Sequence, residues 1–271
     1  MRKSFLIMIL LPVCLCCCTV GDVKVEKTEF ETFPASGIHE VKLNTENGRI
    51  ECLVVEENSI NIELEKWATG NNTDDALDNV YDIDVDIVKN SRTLIIDVDI
   101  PHRITTDYGC DVFIEIPEDI ALDLDTSNGS INLSGVYEDF KCYTSNGSII
   151  TSNTRGDAEL RTSNGSVTIR DHRGNLNART SSGKISASVI IPDKGECYLK
   201  TSNGSISLSI PDNTSAYIKA STSNGNIDIT GLDVVVTKMD RTKFEGRIGS
   251  GNADIDLETS NGSILIRDYR N

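Results

Sequence analysis

The sequence predicts an all-β protein, a single-chain β-solenoid (right-handed β-helix) with rungs of about 18–21 residues. Three observations predict this fold. The tetrapeptide Thr-Ser-Asn-Gly recurs, apolar residues alternate with polar ones on both sides of it, and successive copies are 18 residues apart where the repeat is purest. Such a period is typical of a strand-and-corner unit that stacks on its own copies.

The recurring tetrapeptide marks the corners of the predicted rungs. Its copies begin at Thr126, Thr144, Thr162, Thr201, Thr222 and Thr259, with a Thr-Ser-Ser-Gly variant at Thr180 and a Thr-Glu-Asn-Gly relative at Thr45. From Thr126 onward the spacings are 18, 18, 18, 21, 21 and 37 residues, which indicates a tight unit that admits insertions later. The predicted structural turn residues are Asn128, Gly129, Asn146, Gly147, Asn164, Gly165, Asn203, Gly204, Asn224, Gly225, Asn261 and Gly262.

The residues that flank each corner alternate with the period of a strand that buries one face. Aliphatic, aromatic or small residues lie two and four positions before the threonine, and apolar residues lie five and seven positions after most copies. The predicted core is Leu122, Leu124, Ile131, Leu133, Phe140, Cys142, Ala158, Leu160, Val167, Ile169, Leu176, Ala178, Ile185, Ala187, Cys197, Leu199, Ile206, Leu208, Ile218, Ala220, Ile227, Ile229, Ile255, Leu257, Ile264 and Ile266. The repeat threonine shares this parity, so we expect it to point inward and to bond a neighbouring backbone group.

Two architectures fit an Asn-Gly turn, because both residues tolerate positive φ. In a solenoid each turn is a corner between two strands. In the alternative, a β-sandwich or barrel of hairpins, each turn joins two neighbouring antiparallel strands. The sequence favours the solenoid, since the corner repeats in residue identity and stacked rungs reward identical neighbours through ladders of Asn amides and Thr hydroxyls.

The N-terminal part alternates like strands but has only one corner of the repeat type. Strands are predicted over residues 41–43, 50–55, 60–64, 81–88, 94–100 and 110–116, and the polar segment 67–78 is predicted to be a loop or a short helix. Residues 249–252 resemble a degenerate corner and leave room for a terminal hairpin. No Pro- or Gly-rich linker divides the chain, so we expect one solenoid domain over 37–271, with irregular early strands in 37–120 and the repeats in 121–271.

The first residues predict export. Arg2 and Lys3 precede an apolar run over residues 5–13 that is too short to span a bilayer. Residues 1–17 are therefore predicted to be a lipoprotein signal peptide, followed by an N-terminal tether over 18–36. An ordinary secretory signal with incidental cysteines is the alternative.

The end of this segment also predicts a lipid anchor. Leu15-Cys16-Cys17-Cys18 resembles the lipobox of bacterial lipoproteins, with Leu three positions before a Cys. We expect lipidation at Cys18, with Cys17 and Cys16 as alternates. The protein would then be anchored to the membrane of the cell envelope, and to the outer membrane in a cell with two membranes, because Thr19 follows the anchor instead of Asp.

Composition limits the partners. The chain has 26 basic and 42 acidic side chains and a formal net charge of −16, so nucleic acid and anionic lipid headgroups are poor partners. Four cysteines follow the predicted signal: Cys52, Cys110, Cys142 and Cys197. They lack the density of a disulfide scaffold and the spacing of a zinc site, so we expect small core residues, with a bridge between one pair left open.

Several motifs resemble those of a known bacterial family. These are an early Asn-Gly-x-Ile strand (residues 47–50), a Val-Phe-Ile-Glu-Ile-Pro motif (112–117), a Leu-Asp-Leu-Asp-Thr-Ser-Asn-Gly entry (122–129) and the recurrent corner after it. Over residues 37–271 the chain resembles an adhesin-like domain-of-unknown-function family of exported, auto-transporter-adhesin-head-like proteins. The resemblance implies a single-chain β-solenoid and brings no catalytic residues.

Catalytic residues are not evident in the sequence. His39, His102 and His172 lie in dissimilar contexts without a nucleophile motif. No cofactor is predicted, and calcium is the alternative. Acidic residues at alternate positions share one strand face, and the candidate calcium ligands among them are Asp82, Asp84, Asp86, Asp123 and Asp125. A solvated face that prevents edge-to-edge pairing is the other interpretation.

Three functions are therefore open. The first is a non-catalytic surface binding or adhesion module with a glycan or surface-protein ligand, which an aromatic-lined groove would favour. The second is a purely architectural envelope protein with a featureless polar exterior. The third is a polysaccharide-active β-helix enzyme, with a carboxylate pair beside Arg161, Arg170 or Lys200.

Overall fold

The computed structural model describes residues 23–102 and 106–269. The predicted signal peptide (1–17) and the candidate lipidation residues Cys16, Cys17 and Cys18 lie outside these residues. The described ranges contain one helix, which has nine residues and is not long and apolar enough to cross a membrane. The described chain forms two compact units, which divide between Gly129 and Ser130.

The N-terminal unit has two sheets and a helix. Its elements are β1 (Val23–Pro34), β2 (Glu40–Thr45), β3 (Ile50–Val54), β4 (Ser59–Gly70), α1 (Thr73–Tyr81), β5 (Asp84–Asn90), β6 (Thr93–Asp99), β7 (Tyr108–Ile116) and β8 (Ala121–Thr126). One sheet has the strand order β1-β4-β7-β3 and the other has β8-β2-β6-β5. Strand β3 pairs parallel with β7, and β2 pairs parallel with β6 and β8, whereas β1-β4-β7 and β5-β6 are antiparallel.

Strand β1 lies inside the range predicted as a tether. Its twelve residues pair with β4, from Val23 opposite Gly70 to Pro34 opposite Ser59. The predicted start of the folded region at residue 37 is therefore too late. Charged side chains such as Lys24, Glu26 and Lys27 fill much of this strand, which weakens its alternation in the sequence.

The segment 67–78 divides between a strand and a helix. Strand β4 continues to Gly70, and α1 begins at Thr73 because the Asn72 side chain accepts the backbone N–H of Asp75 at 3.0 Å. The helix packs against β4, where the Asn79 amide donates to the Thr69 carbonyl at 2.8 Å. Since α1 ends at Tyr81, the strand predicted over 81–88 starts later, at Asp84.

The C-terminal unit also has two sheets. Its elements are β9 (Ile131–Ser134), β10 (Phe140–Thr144), β11 (Ile149–Arg155), β12 (Ala158–Thr162), β13 (Val167–Arg173), β14 (Leu176–Thr180), β15 (Ile185–Ile190), β16 (Glu196–Thr201), β17 (Ile206–Ile210), β18 (Ala216–Thr222), β19 (Ile227–Thr230), β20 (Val234–Met239), β21 (Lys243–Ile248), β22 (Ala253–Thr259) and β23 (Ile264–Asp268). The strand orders are β9-β11-β13-β15-β17-β23-β19 and β10-β12-β14-β16-β22-β18-β21-β20.

The solenoid prediction is confirmed by the pairing. The two strands that flank each corner of this unit lie in different sheets, and each pairs parallel with the equivalent strand of the next rung. Thr162 of β12 lies opposite Thr180 of β14, so the register follows the sequence repeat. The alternative of hairpins is wrong, because hairpin strands would be antiparallel neighbours in one sheet. The handedness of the solenoid stays a prediction.

The rungs do not stack in sequence order. The rung of β22 and β23 lies between the rung of β16 and β17 and that of β18 and β19. The predicted terminal hairpin is formed by β20 and β21, and β21 pairs antiparallel with the opposite edge of β18. The chain thus passes from one edge of β18 to the other through residues 249–252, where Gly249 and Gly251 take φ of 57° and 74°.

The inward residues build the core as predicted. Apart from Ile229, every residue of the predicted core is buried. Ile229 is half-buried, because β19 is the last strand of its sheet and has only one neighbour. Cys52, Cys110, Cys142 and Cys197 are all buried, as expected of small core residues.

Candidate functional site

The repeat threonines tie each corner to the one before it. All seven, from Thr126 to Thr259, are buried. The Thr162 hydroxyl donates to the Gly147 carbonyl at 2.8 Å, and the Thr180 hydroxyl donates to the Gly165 carbonyl at the same distance. At the outermost rung, Arg241 donates to the Gly225 carbonyl at 3.0 Å. The inward threonine prediction is confirmed, and the hydroxyls serve the stack.

The corner asparagines form the predicted amide ladder. The Asn164 amide donates to the Asn146 side-chain oxygen at 2.9 Å. Asn261 donates in the same way to Asn203 at 2.8 Å, and Asn224 donates to Asn261 at 2.9 Å. Because these amides bond one another along the stack, the corner asparagines hold the scaffold together.

The corner glycines are required for a reason that differs from the prediction. Neither the Asn nor the Gly of any described Thr-Ser-Asn-Gly corner has positive φ, so that part of the prediction is wrong. These corner glycines instead lie against the backbone of the neighbouring corner in the stack: Gly129, Gly165, Gly183, Gly204, Gly225 and Gly262. A Cβ on Gly165 would lie 1.8 Å from the Gly147 carbonyl oxygen, and one on Gly204 would lie 1.9 Å from that of Gly183. The repeat therefore needs Gly because the rungs approach closely.

The candidate calcium ligands are spread over one sheet of the N-terminal unit. Asp84 and Asp86 lie on β5, whereas Asp123 and Asp125 lie on β8, with β6 and β2 between them. Asp82 is the C-cap of α1. In residues 23–102 and 106–269, no group of three or more His, Cys, Asp or Glu side chains is placed to hold a metal ion. Calcium binding stays a prediction.

The buried thiols and the buried histidine serve the core. Burial raises the pKa of the Cys52, Cys110 and Cys197 thiols to about 12, so these groups stay protonated and unreactive. His172 is fully buried, its Nε2 lies 3.1 Å from the Asn175 carbonyl, and its Nδ1 lies 3.0 Å from the Thr154 hydroxyl. The carbonyl can only accept, so Nε2 carries the proton and Nδ1 of the neutral ring accepts from Thr154.

This histidine makes stability depend on pH. Burial lowers the pKa of His172, against the raising effects of the Asn175 carbonyl and Asp157. The neutral ring contributes fully to stability above pH about 6.5, the pKa of a histidine in the unfolded state. As pH falls through the lower pKa of the folded state, this stabilisation is lost, because the unfolded state binds the proton first. Below pH about 6.5, the free energy of unfolding should fall more steeply in the wild type than in His172→Gln. The difference in slope should be up to about 1.4 kcal/mol per pH unit. Urea titrations of both proteins from pH 7.5 to 5 would measure the free energy of unfolding. The same dependence on pH in the wild type and in His172→Gln would contradict the prediction.

The basic residues considered for an enzyme do not come together. Arg161 on β12 and Lys200 on β16 lie in one sheet of the C-terminal unit with Arg179 between them, whereas Arg170 lies on β13 in the other sheet. Arg161 pairs with Glu159, and the Lys200 ammonium lies 2.6 Å from Glu258. Arg161 and Lys200 thus form exposed ion pairs, which stabilise such surfaces weakly.

The N-terminal unit carries a groove on the outer face of the sheet β1-β4-β7-β3. The groove has a volume of about 450 Å³. Two rows of side chains form its floor and run across the four strands. The aromatic row consists of Phe30, Glu63, Phe113 and Glu51, and the amide row consists of Thr32, Asn61, Glu115 and Leu53.

The groove combines exposed apolar side chains with carboxylates. Phe30 is 42% exposed and Leu53 is 47% exposed, so two large apolar side chains are accessible within one groove. Glu31, Glu51, Glu63 and Glu115 also line the groove, and none of its described lining residues is basic. In the amide row, the Thr32 hydroxyl donates to Asn61 at 3.2 Å and the Asn61 amide donates to Glu115 at 3.1 Å. This network fixes the polar side of the groove.

The same face already holds cations against its aromatic rings. The Arg49 guanidinium lies 4.9 Å from the centre of the Phe113 ring, and the Lys24 ammonium lies 4.7 Å from that of Trp67. Burial and the neighbouring carboxylates of Glu26, Asp111 and Glu63 raise the pKa of Glu65, one alternation along β4 from Glu63. The outer face is therefore both aromatic and negatively charged.

The sequence predictions missed this groove. Three of its four strands were predicted, but Phe30 lies on the fourth, β1, within the predicted tether. The signal available for β1 was a 12-residue stretch of charged and β-forming residues. The groove also depends on the order β1-β4-β7-β3, in which sequence neighbours are not spatial neighbours. No local motif encodes that order.

Several solved structures are similar to most of this chain. A "putative adhesin" from Bacteroides fragilis has a TM-score of 0.46 and 11% identity, covering 90% of this chain and 97% of its own. A "putative cell adhesion protein" from Clostridium sporogenes has a TM-score of 0.40 and 11% identity, covering 90% of this chain and 100% of its own. A "putative lipid binding protein" from Parabacteroides distasonis has a TM-score of 0.32 and 11% identity, covering 90% and 97%.

The family is shown by the sequence itself. No curated protein matches the chain. The family model of Toastrack DUF4097 matches residues 118–267, which is more than half of the chain and includes every Thr-Ser-Asn-Gly corner. The resemblance to an adhesin-like family of unknown function is confirmed, and the chain belongs to the Toastrack DUF4097 family.

Proposed function

We propose that this protein is a non-catalytic binding module of the cell envelope, exported and lipid-anchored at Cys18, that holds a glycan or a surface protein in the groove of its N-terminal unit. The observation that carries the proposal is the groove itself. It exposes Phe30 and Leu53 beside the hydrogen-bonding groups of Asn61 and Glu115. Binding sites typically combine apolar surface with a few fixed polar groups in this way.

The solenoid suits such a role because its stack is self-supporting. The corners bond one another through threonine hydroxyls, asparagine amides and close glycine contacts, so they need no ligand. The binding face lies on a sheet, where strands fix the side-chain positions and little ordering is required on binding. A purely architectural protein would have no need to expose large apolar side chains within a concavity.

The test is an array of glycans and surface proteins probed with the purified chain. The double variant Phe30→Ser/Leu53→Ser should weaken binding at least about tenfold, because anchor side chains in a concavity carry much of the binding energy. Both side chains are substantially exposed, so the fold should be retained.

The matched control is Val235→Ser/Val236→Ser on β20, which removes apolar side chains that are 59% and 51% exposed in the C-terminal unit. This control should bind like the wild type. Absence of binding across the array, or equal binding by the groove variant and the wild type, would overturn the proposal.

A further inference from the structure

The aromatic row contains a carboxylate between two aromatic rings. Glu63 of β4 lies directly opposite Phe30 of β1 on one side and Phe113 of β7 on the other. Neighbouring strands are about 4.8 Å apart. A cation above Glu63 would therefore have an aromatic residue on each side, and aromatic rings attract cations within roughly 6 Å.

Two carboxylates of the groove have no cation partner among the described residues. In the described part of the chain, neither Glu63 nor Glu115 forms a salt bridge, whereas nearby Glu26 pairs with Lys24 and Glu29 pairs with Lys27. Four glutamates line the groove without a basic lining residue. An anionic or neutral occupant would leave the charges of Glu63 and Glu115 uncompensated, whereas a cationic occupant complements them.

We infer that the groove binds an extended peptide segment of a partner protein, with a lysine or arginine side chain seated above Glu63 between Phe30 and Phe113. This inference rests on the proposed binding function and specifies the ligand. The aliphatic stem of a lysine or arginine packs on apolar surface while its charged end meets a carboxylate. On the same face, Arg49 lies over the Phe113 ring and within 4.0 Å of Glu51, so this chain already makes that arrangement once.

The size of the groove favours a peptide over a small cation. Its volume of about 450 Å³ is far larger than one ammonium group needs. In the amide row, Leu53 can contact an apolar side chain of the peptide near the cation. The Glu115 carboxylate can accept a hydrogen bond from a backbone N–H of the peptide. In an extended peptide, alternate side chains point to the same side, so two of them can enter the two rows.

The experiment titrates the purified chain with the capped peptide Val-Ser-Lys-Ser-Val, whose valines lie on the same side as the lysine when it is extended, and measures Kd by NMR chemical-shift changes. Glu63→Gln keeps the shape and removes the charge, and it should weaken binding about tenfold. Phe30→Leu keeps apolar bulk and removes the ring, and it should weaken binding roughly three- to fivefold. The control Asp228→Asn removes one exposed carboxylate from β19 in the C-terminal unit and should leave Kd unchanged.

Two further peptides separate this inference from the proposed function. Val-Ser-Glu-Ser-Val and Val-Ser-Leu-Ser-Val should bind at least about tenfold more weakly than the lysine peptide, because they cannot pair with Glu63. If the leucine peptide or an array glycan binds in the groove and Glu63→Gln has no effect, the cationic occupant is wrong while the binding function stands. If no peptide shifts groove resonances and Phe30→Ser/Leu53→Ser leaves array binding unchanged, both are overturned.

Discussion

Gly165→Ala should cost about 3 kcal/mol or more of the free energy of unfolding, although alanine is a minimal change. Its Cβ would lie 1.8 Å from the carbonyl oxygen of Gly147 and 2.5 Å from the carbonyl carbon. These are backbone atoms of the preceding corner, so no side chain can move aside. The rungs must separate locally, which strains the Thr162 and Asn164 hydrogen bonds to that corner.

Two control variants identify the cause of this loss. Gly37→Ala places a side chain at φ of 78° with nothing within 4 Å, and it should cost only about 1–2 kcal/mol through backbone strain. Asn164→Ser removes one ladder bond and reproduces the natural Thr-Ser-Ser-Gly corner, so it should cost about 1 kcal/mol. Urea denaturation of the three variants gives the order. A Gly165→Ala loss no larger than that of Gly37→Ala would mean that the close approach does not constrain the corner.

The corner shows which structural features the local sequence predicts and which it does not. Asn-Gly predicted the position of each turn, and the parity of Thr162 and its equivalents predicted which way they point. The same dipeptide is compatible with positive φ and with close stacking, and the sequence could not separate them. The close contact is made with the neighbouring rung, so the requirement for glycine at position 165 comes from tertiary structure.

The groove lies beyond what the sequence could predict, for the same physical reason. Phe113 sits in a predicted strand and points away from the core, as many exposed residues do. It becomes part of a site only because β4 brings Glu63 beside it and β1 brings Phe30 beside Glu63. Both pairings are antiparallel and join segments distant in the sequence, which a pattern of alternation does not specify.

The rung order gives the second large effect. Ending the chain at Gly251 should release residues 216–248 as well as removing β22 and β23. Among the described strands, β19 pairs only with β23, and β18 has β22 on one edge and β21 on the other. The deletion also removes Ile255, Leu257, Ile264 and Ile266, all buried. At about 1.5–3 kcal/mol for each buried aliphatic side chain, this loss approaches the 5–15 kcal/mol stability of a typical domain.

A second truncation, ending at Ile210, provides the comparison. Rungs of a solenoid depend mainly on their nearest neighbours, so β10 to β17 should keep similar amide hydrogen exchange in both truncated chains. In the longer chain, residues 216–248 should exchange as an unprotected tail. One other outcome is possible because the repeats are alike. Gly225 and Gly204 occupy equivalent corners, so β18 and β19 could stack directly on β16 and β17. Protection of residues 216–230 in the longer chain would show that restacking, and would mean that the inserted rung is exchangeable and not required.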